Sequence, residues 1–472
     1  MTDLLQQDAT AQAEAIATGK VSPSELLEAA VARADALNPS LNFIAQDLRD
    51  MARARAHLPF SGPFAGVPFL VKDLHMPIAG QRSGEGSRLF DGHVATENAV
   101  LYDRYCAAGL NTFGKTTTPE FGLTVTTESK AYGLTRNPWN PAHSSGGSSG
   151  GAAVAVSAGV VAMAHASDGG GSIRCPASAC GLFGLKPSRG RMPAGPHATE
   201  GWMGFSLNHA VTRSVRDSAA LLDATHGMEP GSRYTAPPPG AGFLAATRSA
   251  PGRLRIALQR EAITGVPVHP DVLAALDAAA RLLESLGHTV EEAAPALPAE
   301  AMGEAFVAII AAHVAHDVRT RLAELGRDSA GEDIELVTQM FAHIGNTTPA
   351  SAIAGANQLF QQVAITVSQF MSGHDILLSP VFAQPPIELG RIDLSPSDIE
   401  SWTGNVLGYS PFTALANQTG CPAMSLPLGT SRTGLPIGIM AMGRYGEEAL
   451  LFSLAAQIEQ AAPWAGRRPP LP

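Results

Sequence analysis

The chain has 472 residues, of which 45% are apolar and 16% are charged, a composition that excludes a disordered or coiled-coil protein. Its 32 Lys and Arg residues are outnumbered by 42 Asp and Glu residues and form no prominent basic run, so nucleic acid is not an expected partner. The four cysteines are too few for a disulfide framework and predict a reduced, cytoplasmic protein.

The N-terminal segment lacks the pattern of a targeting signal. Residues 1–20 carry three acidic side chains, where a signal peptide would have a basic start and an apolar stretch. The most apolar run, residues 152–166, is about 15 residues long and is shorter than the roughly 20 that a membrane-spanning helix needs. The sequence therefore predicts a soluble protein with no membrane partner.

A capping box predicts the start of the first well-defined helix. Ser22 and Glu25 have the spacing of this motif, and Pro23 stands at the first helical position. The helix is expected to end at Asn38-Pro39, because a proline disfavours the helical conformation of the residue before it.

The next elements indicate parallel strands. The apolar run at residues 66–72 predicts a buried strand that ends in a lysine. A helix is predicted at residues 97–108 and a second strand at residues 110–114. A strand, a helix and a second strand in this order are typical of a parallel βαβ unit. Strand and helix patterns continue to the C-terminus, with a mostly helical region at about residues 301–371, so the sequence favours an α/β fold throughout.

Two glycine-rich clusters flank the apolar run. They are residues 146–151 (Gly-Gly-Ser-Ser-Gly-Gly) and residues 168–174 (Asp-Gly-Gly-Gly-Ser-Ile-Arg). The first has the composition of a flexible linker, but glycines that border a core element more often mark backbone that must approach another group closely. Neither cluster has the spacing of a phosphate-binding loop. The first also fits the GxSxG pattern of a nucleophile elbow, although residues 139–145 before it are typical of a loop and not of an apolar strand.

Residues in and near these clusters could support acyl transfer, which needs a nucleophile, a base and N–H donors for the developing oxyanion. Three glycines before Ser172 leave backbone N–H groups without side-chain cover beside a hydroxyl. Lys72 ends an apolar strand, where burial can lower the pKa of a lysine and make it a base. A lone lysine is also commonly a solvated surface charge, so Lys72 by itself leaves its role open.

Several separated motifs in this order resemble the amidase signature family. They are Lys72-Asp73, the cluster at 146–151, the cluster at 168–174, and Cys180-Gly-Leu-Phe-Gly-Leu-Lys-Pro187. Ser148 and Ser172 are 24 positions apart, which is the spacing of the two serines in that family. The similarity covers most of the chain and is weakest between about residues 240 and 378.

The resemblance implies a role for each matched residue. Ser172 would be the nucleophile, Ser148 a bridging serine on a cis peptide, and Lys72 the base. An oxyanion hole would be formed by the backbone of Gly169, Gly170, Gly171 and Ser172. Asp168 and Arg174 would form a structural ion pair. Position 169 is glycine here, where many family members have threonine.

The resemblance also implies the fold and the reaction. The expected architecture is a single large α/β domain over residues 1–472, with a mixed β-sheet core, helices on both faces and the signature core at about residues 60–225. The expected reaction is hydrolysis of a small-molecule amide, linear or cyclic, through an acyl-enzyme and without cofactor or metal. Residues 195–201 and 213–217 are similar to stand-alone bacterial amidases, a neighbourhood that includes hydrolases of cyclic nylon-oligomer amides.

Two other functions are possible, and the oligomeric state is open. The chain could be the glutaminase-type subunit of a tRNA-dependent amidotransferase, or an inactive amidase-like binding protein. The presence of Lys72, Ser148 and Ser172 counts against the second of these. A homodimer is one possible oligomeric state.

Two histidines and two aromatic residues are further candidates for sites. His313 and His316 have a helical spacing that could suit a metal, but no further ligand motif accompanies them, so a metal is not expected. Phe121 and Trp202 lie on segments that flank the motifs and are predicted to face the substrate.

Overall fold

The computed structural model describes residues 2–471, and its helices and strands alternate along the chain. The α-helices of this part of the chain are α1 (Thr2–Leu5), α2 (Ala9–Ala17), α3 (Pro23–Leu41), α4 (Arg49–Ala56), α5 (Val100–Ala107), α6 (Gly150–Ser157), α7 (Arg174–Cys180), α8 (Val215–Thr225), α9 (Phe243–Ala246), α10 (Pro270–Ser285), α11 (Ala299–Leu325), α12 (Leu336–Thr347), α13 (Ala350–Ser372), α14 (Ile399–Tyr409), α15 (Ala414–Thr419) and α16 (Glu448–Ala461). The strands are β1 (Ile44–Asp47), β2 (Pro68–Lys72), β3 (Asn111–Thr116), β4 (Glu128–Ser129), β5 (Gly133–Leu134), β6 (Arg136–Asn137), β7 (Asn140–Ser144), β8 (Met163–Asp168), β9 (Phe183–Lys186), β10 (Leu207–Thr212), β11 (Arg255–Leu258), β12 (Thr289–Glu292), β13 (Ile376–Pro380), β14 (Ala423–Thr430) and β15 (Pro436–Gly443).

A large mixed sheet forms the centre of this single-domain α/β fold. Its strand order is β12-β11-β13-β15-β14-β9-β10-β8, with β11 parallel to both of its neighbours and the other pairs antiparallel. Successive side chains of a strand point to opposite faces, and on β11 Ile256 and Leu258 join one hydrophobic cluster while Ala257 joins another. The first cluster includes residues of α8, α10 and α16, and the second includes residues of α7, α13 and α15. Helices therefore flank the sheet.

A smaller sheet has the order β1-β3-β2, and its β2 and β3 are parallel. With α5 between these two strands in the chain, the predicted βαβ unit is confirmed. The two sheets meet where β2 lies beside β8. There the backbone N–H of Lys72 donates a hydrogen bond to His165 Nδ1 at 3.2 Å. This contact brings the ends of β2 and β8, each of which carries a motif residue, to the same place.

The predicted start of helix α3 is confirmed, and its predicted end is wrong. Ser22 Oγ accepts the Glu25 N–H at 3.2 Å, and the Glu25 carboxylate accepts the Ser22 N–H at 2.9 Å, which together form the capping box. The helix does not end at Asn38-Pro39 but continues through Pro39 to Leu41. Leu41 is buried in the core, and this packing outweighs the local preference of the residue before a proline.

The region around residues 301–371 consists of α11, α12 and α13. By length and composition, α11 is the one helix within residues 2–471 that could cross a membrane. Its side chains Met302, Ile309 and Val314 are instead buried in hydrophobic clusters with other elements of the fold. One face of α11 is therefore packed inside the fold.

Candidate active site

The first glycine-rich cluster is buried backbone and not a linker. All six residues from 146 to 151 are buried. A Cβ atom on Gly147 would lie 2.1 Å from the Thr126 carbonyl oxygen, and one on Gly150 would lie 2.3 Å from Thr127 Oγ1. Glycine is required here because the loop runs against neighbouring chain segments with no room for a side chain. The expectation of a loop just before the cluster is wrong for residues 140–144, which form β7 and pair with β6 as a short hairpin.

Lys72 is fully buried at the end of β2. Its Nζ lies 2.7 Å from Ser148 Oγ and 3.0 Å from Ser167 Oγ, within hydrogen-bonding distance of both hydroxyls. Burial lowers the pKa of Lys72 to about 7, because a charged ammonium loses its hydration there. A large fraction of Lys72 is therefore neutral near pH 7 and can accept a proton.

Ser148 lies on the loop between β7 and α6, and the peptide bond between Gly147 and Ser148 is cis. Its hydroxyl is also close to a second loop, since a Cβ atom on Gly122 would lie 3.1 Å from Ser148 Oγ. The side chain is 1% exposed. Ser148 is thus held in place by the cluster backbone on one side and by the loop at Gly122 on the other.

Ser172 lies between β8 and α7, with 8% of its surface exposed. Its hydroxyl forms no hydrogen bond with another residue between 2 and 471. The N–H groups of Gly169, Gly170 and Ser172 are likewise unused by any described residue. The Gly171 N–H differs, because it donates to Asp168 Oδ1 at 2.7 Å.

Asp168 and Arg174 form the ion pair that the resemblance implies, and both side chains are fully buried. Arg174 Nη2 lies 2.8 Å from Asp168 Oδ1, and Arg174 Nε lies 2.9 Å from Asp168 Oδ2. Burial alone would raise the pKa of Asp168, but the guanidinium and its hydrogen bonds lower it to about 2. Asp168 also accepts the N–H groups of Gly171 and Ile173, so the ion pair fixes the loop that carries Ser172.

Trp202 packs directly on the loop before Ser172, and Phe121 belongs to a hydrophobic cluster against which Trp202 also packs. Trp202 is partly exposed, and its ring lies where a Cβ atom on Gly169 would stand. Phe121 is 3% exposed and packs edge-on against Phe90, with ring centres 5.8 Å apart. The backbone next to Phe121, at Gly122, is the part of that loop closest to Ser148.

The family model described as Amidase matches residues 25–452. This chain belongs to the amidase family. The 6-aminohexanoate-cyclic-dimer hydrolase of Paenarthrobacter ureafaciens is 38% identical over 483 residues, covering 99% of this chain and 97% of that protein. The putative amidase AmiC of Mycobacterium leprae is 36% identical over 463 residues, covering 97% of this chain and 96% of that protein.

A solved structure of 6-aminohexanoate cyclic dimer hydrolase has a TM-score of 0.93 to this amidase, at 36% sequence identity and 99% coverage of both chains. A structure described as that hydrolase complexed with substrate gives the same TM-score and identity. The chain is therefore a hydrolase of the amidase signature family with the fold that the sequence predicts.

The two histidines with metal-ligand spacing have no third ligand beside them within residues 2–471. His313 Nδ1 is 2.9 Å from the Ile309 carbonyl oxygen in its own helix, and His316 is exposed. Over residues 2–471, no group of three or more His, Cys, Asp or Glu side chains has an arrangement that could hold a metal ion.

Several residues of the amidase site escape sequence reasoning. Ser167 contacts Lys72 Nζ, and His165 accepts the Lys72 N–H while its Nε2 lies 3.3 Å from Asn208 Oδ1. Burial lowers the pKa of His165 to about 3, so it is neutral and can accept that N–H. Asn417, far along the chain, donates to Asp168 at 2.9 Å. Alternation along the apolar strand β8 could have pointed to Ser167, but no local signal points to Asn417.

Proposed function

We propose that this amidase hydrolyses neutral carboxylic amides through a relay of Lys72, Ser148 and Ser172. The observation that carries the proposal is the contact of Lys72 Nζ with Ser148 Oγ at 2.7 Å, made by a buried lysine whose pKa burial lowers to about 7. A neutral amine beside a hydroxyl is the arrangement that general-base catalysis needs.

The first half of the reaction forms an acyl-enzyme. Neutral Lys72 accepts the Ser148 proton while Ser148 accepts the proton of Ser172, and Ser172 Oγ attacks the amide carbonyl carbon. The proton then returns through Ser148 to the leaving nitrogen as the C–N bond breaks. Water, activated along the same relay, hydrolyses the ester and releases the acid. The Ser172–Ser148 hydrogen bond forms in the substrate complex, since catalytic hydrogen bonds often tighten only when substrate binds.

Backbone donors stabilise the negative charge on the carbonyl oxygen. Of the four N–H groups expected in the oxyanion hole, we assign three as donors, those of Gly169, Gly170 and Ser172. The Gly171 N–H is already committed to Asp168. Its role is to fix the loop, so that the other three groups keep their direction when charge develops.

The substrate class is supported by the relatives. A chain that is 38% identical to a 6-aminohexanoate-cyclic-dimer hydrolase over nearly its whole length is a candidate to act on the same kind of amide, cyclic or linear. No observation favours the amidotransferase-subunit alternative. Four free cysteines suit action in the cytoplasm.

A substrate screen tests the proposal. Purified enzyme is offered 6-aminohexanoate cyclic dimer, an aryl amide such as 4-nitroacetanilide, and glutamine, and the released amine or ammonia is quantified. We expect hydrolysis of at least one neutral amide, no preference for glutamine, and no release by the Ser172→Ala variant. Hydrolysis that persists at the wild-type rate in Ser172→Ala would overturn the relay. Activity on glutamine alone would favour the amidotransferase subunit.

A further inference from the structure

The loop that carries the oxyanion donors has no side chains at the points where two aromatic rings approach it. A Cβ atom on Gly169 would lie 2.7 Å from Trp202 Cε3 and Cζ3, closer than any real contact of a Cβ atom. A Cβ atom on Gly170 would lie 3.3 Å from Phe306 Cζ. The rings of Trp202 and Phe306, together called the aromatic wall, thus occupy space beside two neighbouring residues of this loop.

Trp202 is held in an unfavourable backbone conformation. Its φ is +49°, in the left-handed region that bulky residues seldom adopt. The turn around it is closed by hydrogen bonds from the Phe205 N–H to the Trp202 carbonyl and from the Ser206 N–H to the Gly201 carbonyl, both 3.1 Å. Conformations of this kind persist where the surrounding structure enforces them, and they concentrate at ligand-binding sites.

Phe306 approaches from α11, outside the signature core. Its ring centre lies 5.8 Å from that of Phe205, which in turn packs edge-on against Phe360 at 5.1 Å. This aromatic packing fixes the position of Phe306 beside Gly170. Trp202, Phe306 and Gly170 are all partly exposed, so the wall reaches solvent next to the nucleophile loop.

We propose that Gly169 and Trp202 determine specificity for the acyl part of the substrate, an inference that rests on the proposed function. Because position 169 has no side chain, the indole ring can lie against the oxyanion loop, and an acyl chain on Ser172 then runs along Trp202 and Phe306. The wall consists of two aromatic rings and has no charged side chain, so it fits an uncharged, unbranched aliphatic acyl chain. A side chain at position 169, even a single methyl group, would displace the ring and remove this surface.

The test compares 4-nitroanilides of acetic and hexanoic acid, with kcat/KM as the readout. Each methylene group that leaves water on binding contributes roughly a factor of four, so we expect the wild type to favour the hexanoyl substrate by about tenfold or more. Gly169→Ala and Trp202→Ala should each bring the ratio to within about threefold of unity. Since both act through the same ring, the double variant should lower it no further.

Gly303→Ala is the matched control. It adds the same methyl group on α11, close to Phe306 in sequence, where no heavy atom lies within 4 Å of the new carbon. It should leave the ratio unchanged. If Gly169→Ala does not fold, Trp202→Ala alone tests the contribution of the wall to the ratio. Labelling of Ser172 by a fluorophosphonate shows in every variant whether the nucleophile is intact.

The outcomes separate this inference from the proposed function. A wild type without hexanoyl preference, or variants that keep the preference while Ser172 is still labelled, would overturn the role of Gly169 and Trp202 and leave amide hydrolysis standing. A wild type that cleaves the cyclic dimer but neither anilide would do the same. Absence of both amide hydrolysis and Ser172 labelling would overturn the proposed function itself.

Discussion

The two sides of the site are stabilised by different interactions, hydrogen bonds and ion pairs on one side and apolar packing on the other. The polar side consists of five side chains with at most 7% exposure, namely Lys72, Ser148, Ser167, Asp168 and Arg174. The aromatic wall is partly exposed, and its two rings pack against two hydrophobic clusters. Loss of one group on the polar side leaves another buried group without its partner, whereas loss of a ring in the wall removes contact area. Changes on the polar side should therefore abolish activity or stability, and changes in the wall should mainly alter substrate choice.

Two buried lysines show how the environment decides a role on the polar side. Lys72 ends β2 and contacts hydroxyls, while Lys115 lies on the adjacent strand β3 and pairs with Asp73 at 3.1 Å. The Asp73 side chain also accepts the Tyr132 hydroxyl at 2.5 Å. Lys115 has a carboxylate within salt-bridge distance, and Lys72 has none in contact. Asp73 follows Lys72 in the chain but forms its ion pair with Lys115.

The largest effect is expected for Ser172→Ala. Removal of the nucleophile closes the covalent route, so kcat/KM should fall by about a thousandfold or more. The thermal unfolding midpoint should stay near that of the wild type, because the hydroxyl has no hydrogen-bond partner within residues 2–471. Mass spectrometry after fluorophosphonate treatment should place the adduct on Ser172. An adduct on Ser148 would instead support the nucleophile-elbow interpretation.

Substitution of Lys72 should be almost as damaging. The wild-type kcat/KM is expected to rise with pH through about 7, since protonated Lys72 cannot accept the Ser148 proton. Lys72→Arg should lose most activity, by roughly a hundredfold or more, because the guanidinium stays charged and cannot act as a base. Steady-state rates from pH 5 to 9 check both statements. A flat profile, with chemistry shown to be rate-limiting, would contradict the role of Lys72 as base.

The two lysines should have opposite effects on stability. Lys115→Met leaves the Asp73 carboxylate buried without its cation and should lower the free energy of unfolding by about 3–5 kcal/mol. Lys72→Met removes a group whose pKa is lowered on folding, so it should raise the free energy of unfolding at pH 7. The destabilisation by Lys72 is present in full below pH 7 and is lost as the pH approaches 10.5.

The advantage of Lys72→Met should therefore shrink by up to about 1.4 kcal/mol for each pH unit above 7. Urea unfolding at pH 7, 8 and 9 measures it for the wild type and both variants. A difference between Lys72→Met and the wild type that does not change over this range would mean that Lys72 titrates at its ordinary pKa.

The smallest effect is expected from metal removal. Carbonyl polarisation is assigned to backbone N–H groups, so prolonged treatment with EDTA or phenanthroline should leave activity within about twofold of the untreated enzyme. His313→Ala and His316→Ala should behave in the same way. Inactivation by the chelator, with recovery on addition of zinc or manganese, would contradict the relay.

Much of the polar side was predictable from local patterns. The spacing of Ser148 and Ser172, the lysine at the end of an apolar strand and the glycines that border a core element all lie within short stretches of chain. The start of α3 was predictable for the same reason, since a capping box involves only neighbouring residues. The end of α3 was not, because the burial of Leu41 depends on the rest of the fold.

The sequence by itself determined the family and the α/β class, and it pointed to the residues that we propose for the relay, because these features depend on residue types at short spacing. Only the tertiary structure decided their partners. Ser167 reaches Lys72 across 95 positions, and Asn417 reaches Asp168 across 249, because the sheet places β2 beside β8 and packs α15 on the same loop. The same holds for the contact of Trp202 with Gly169 and of Phe306 with Gly170. Contacts between distant segments follow from how layers pack, and no local pattern of residues encodes that packing.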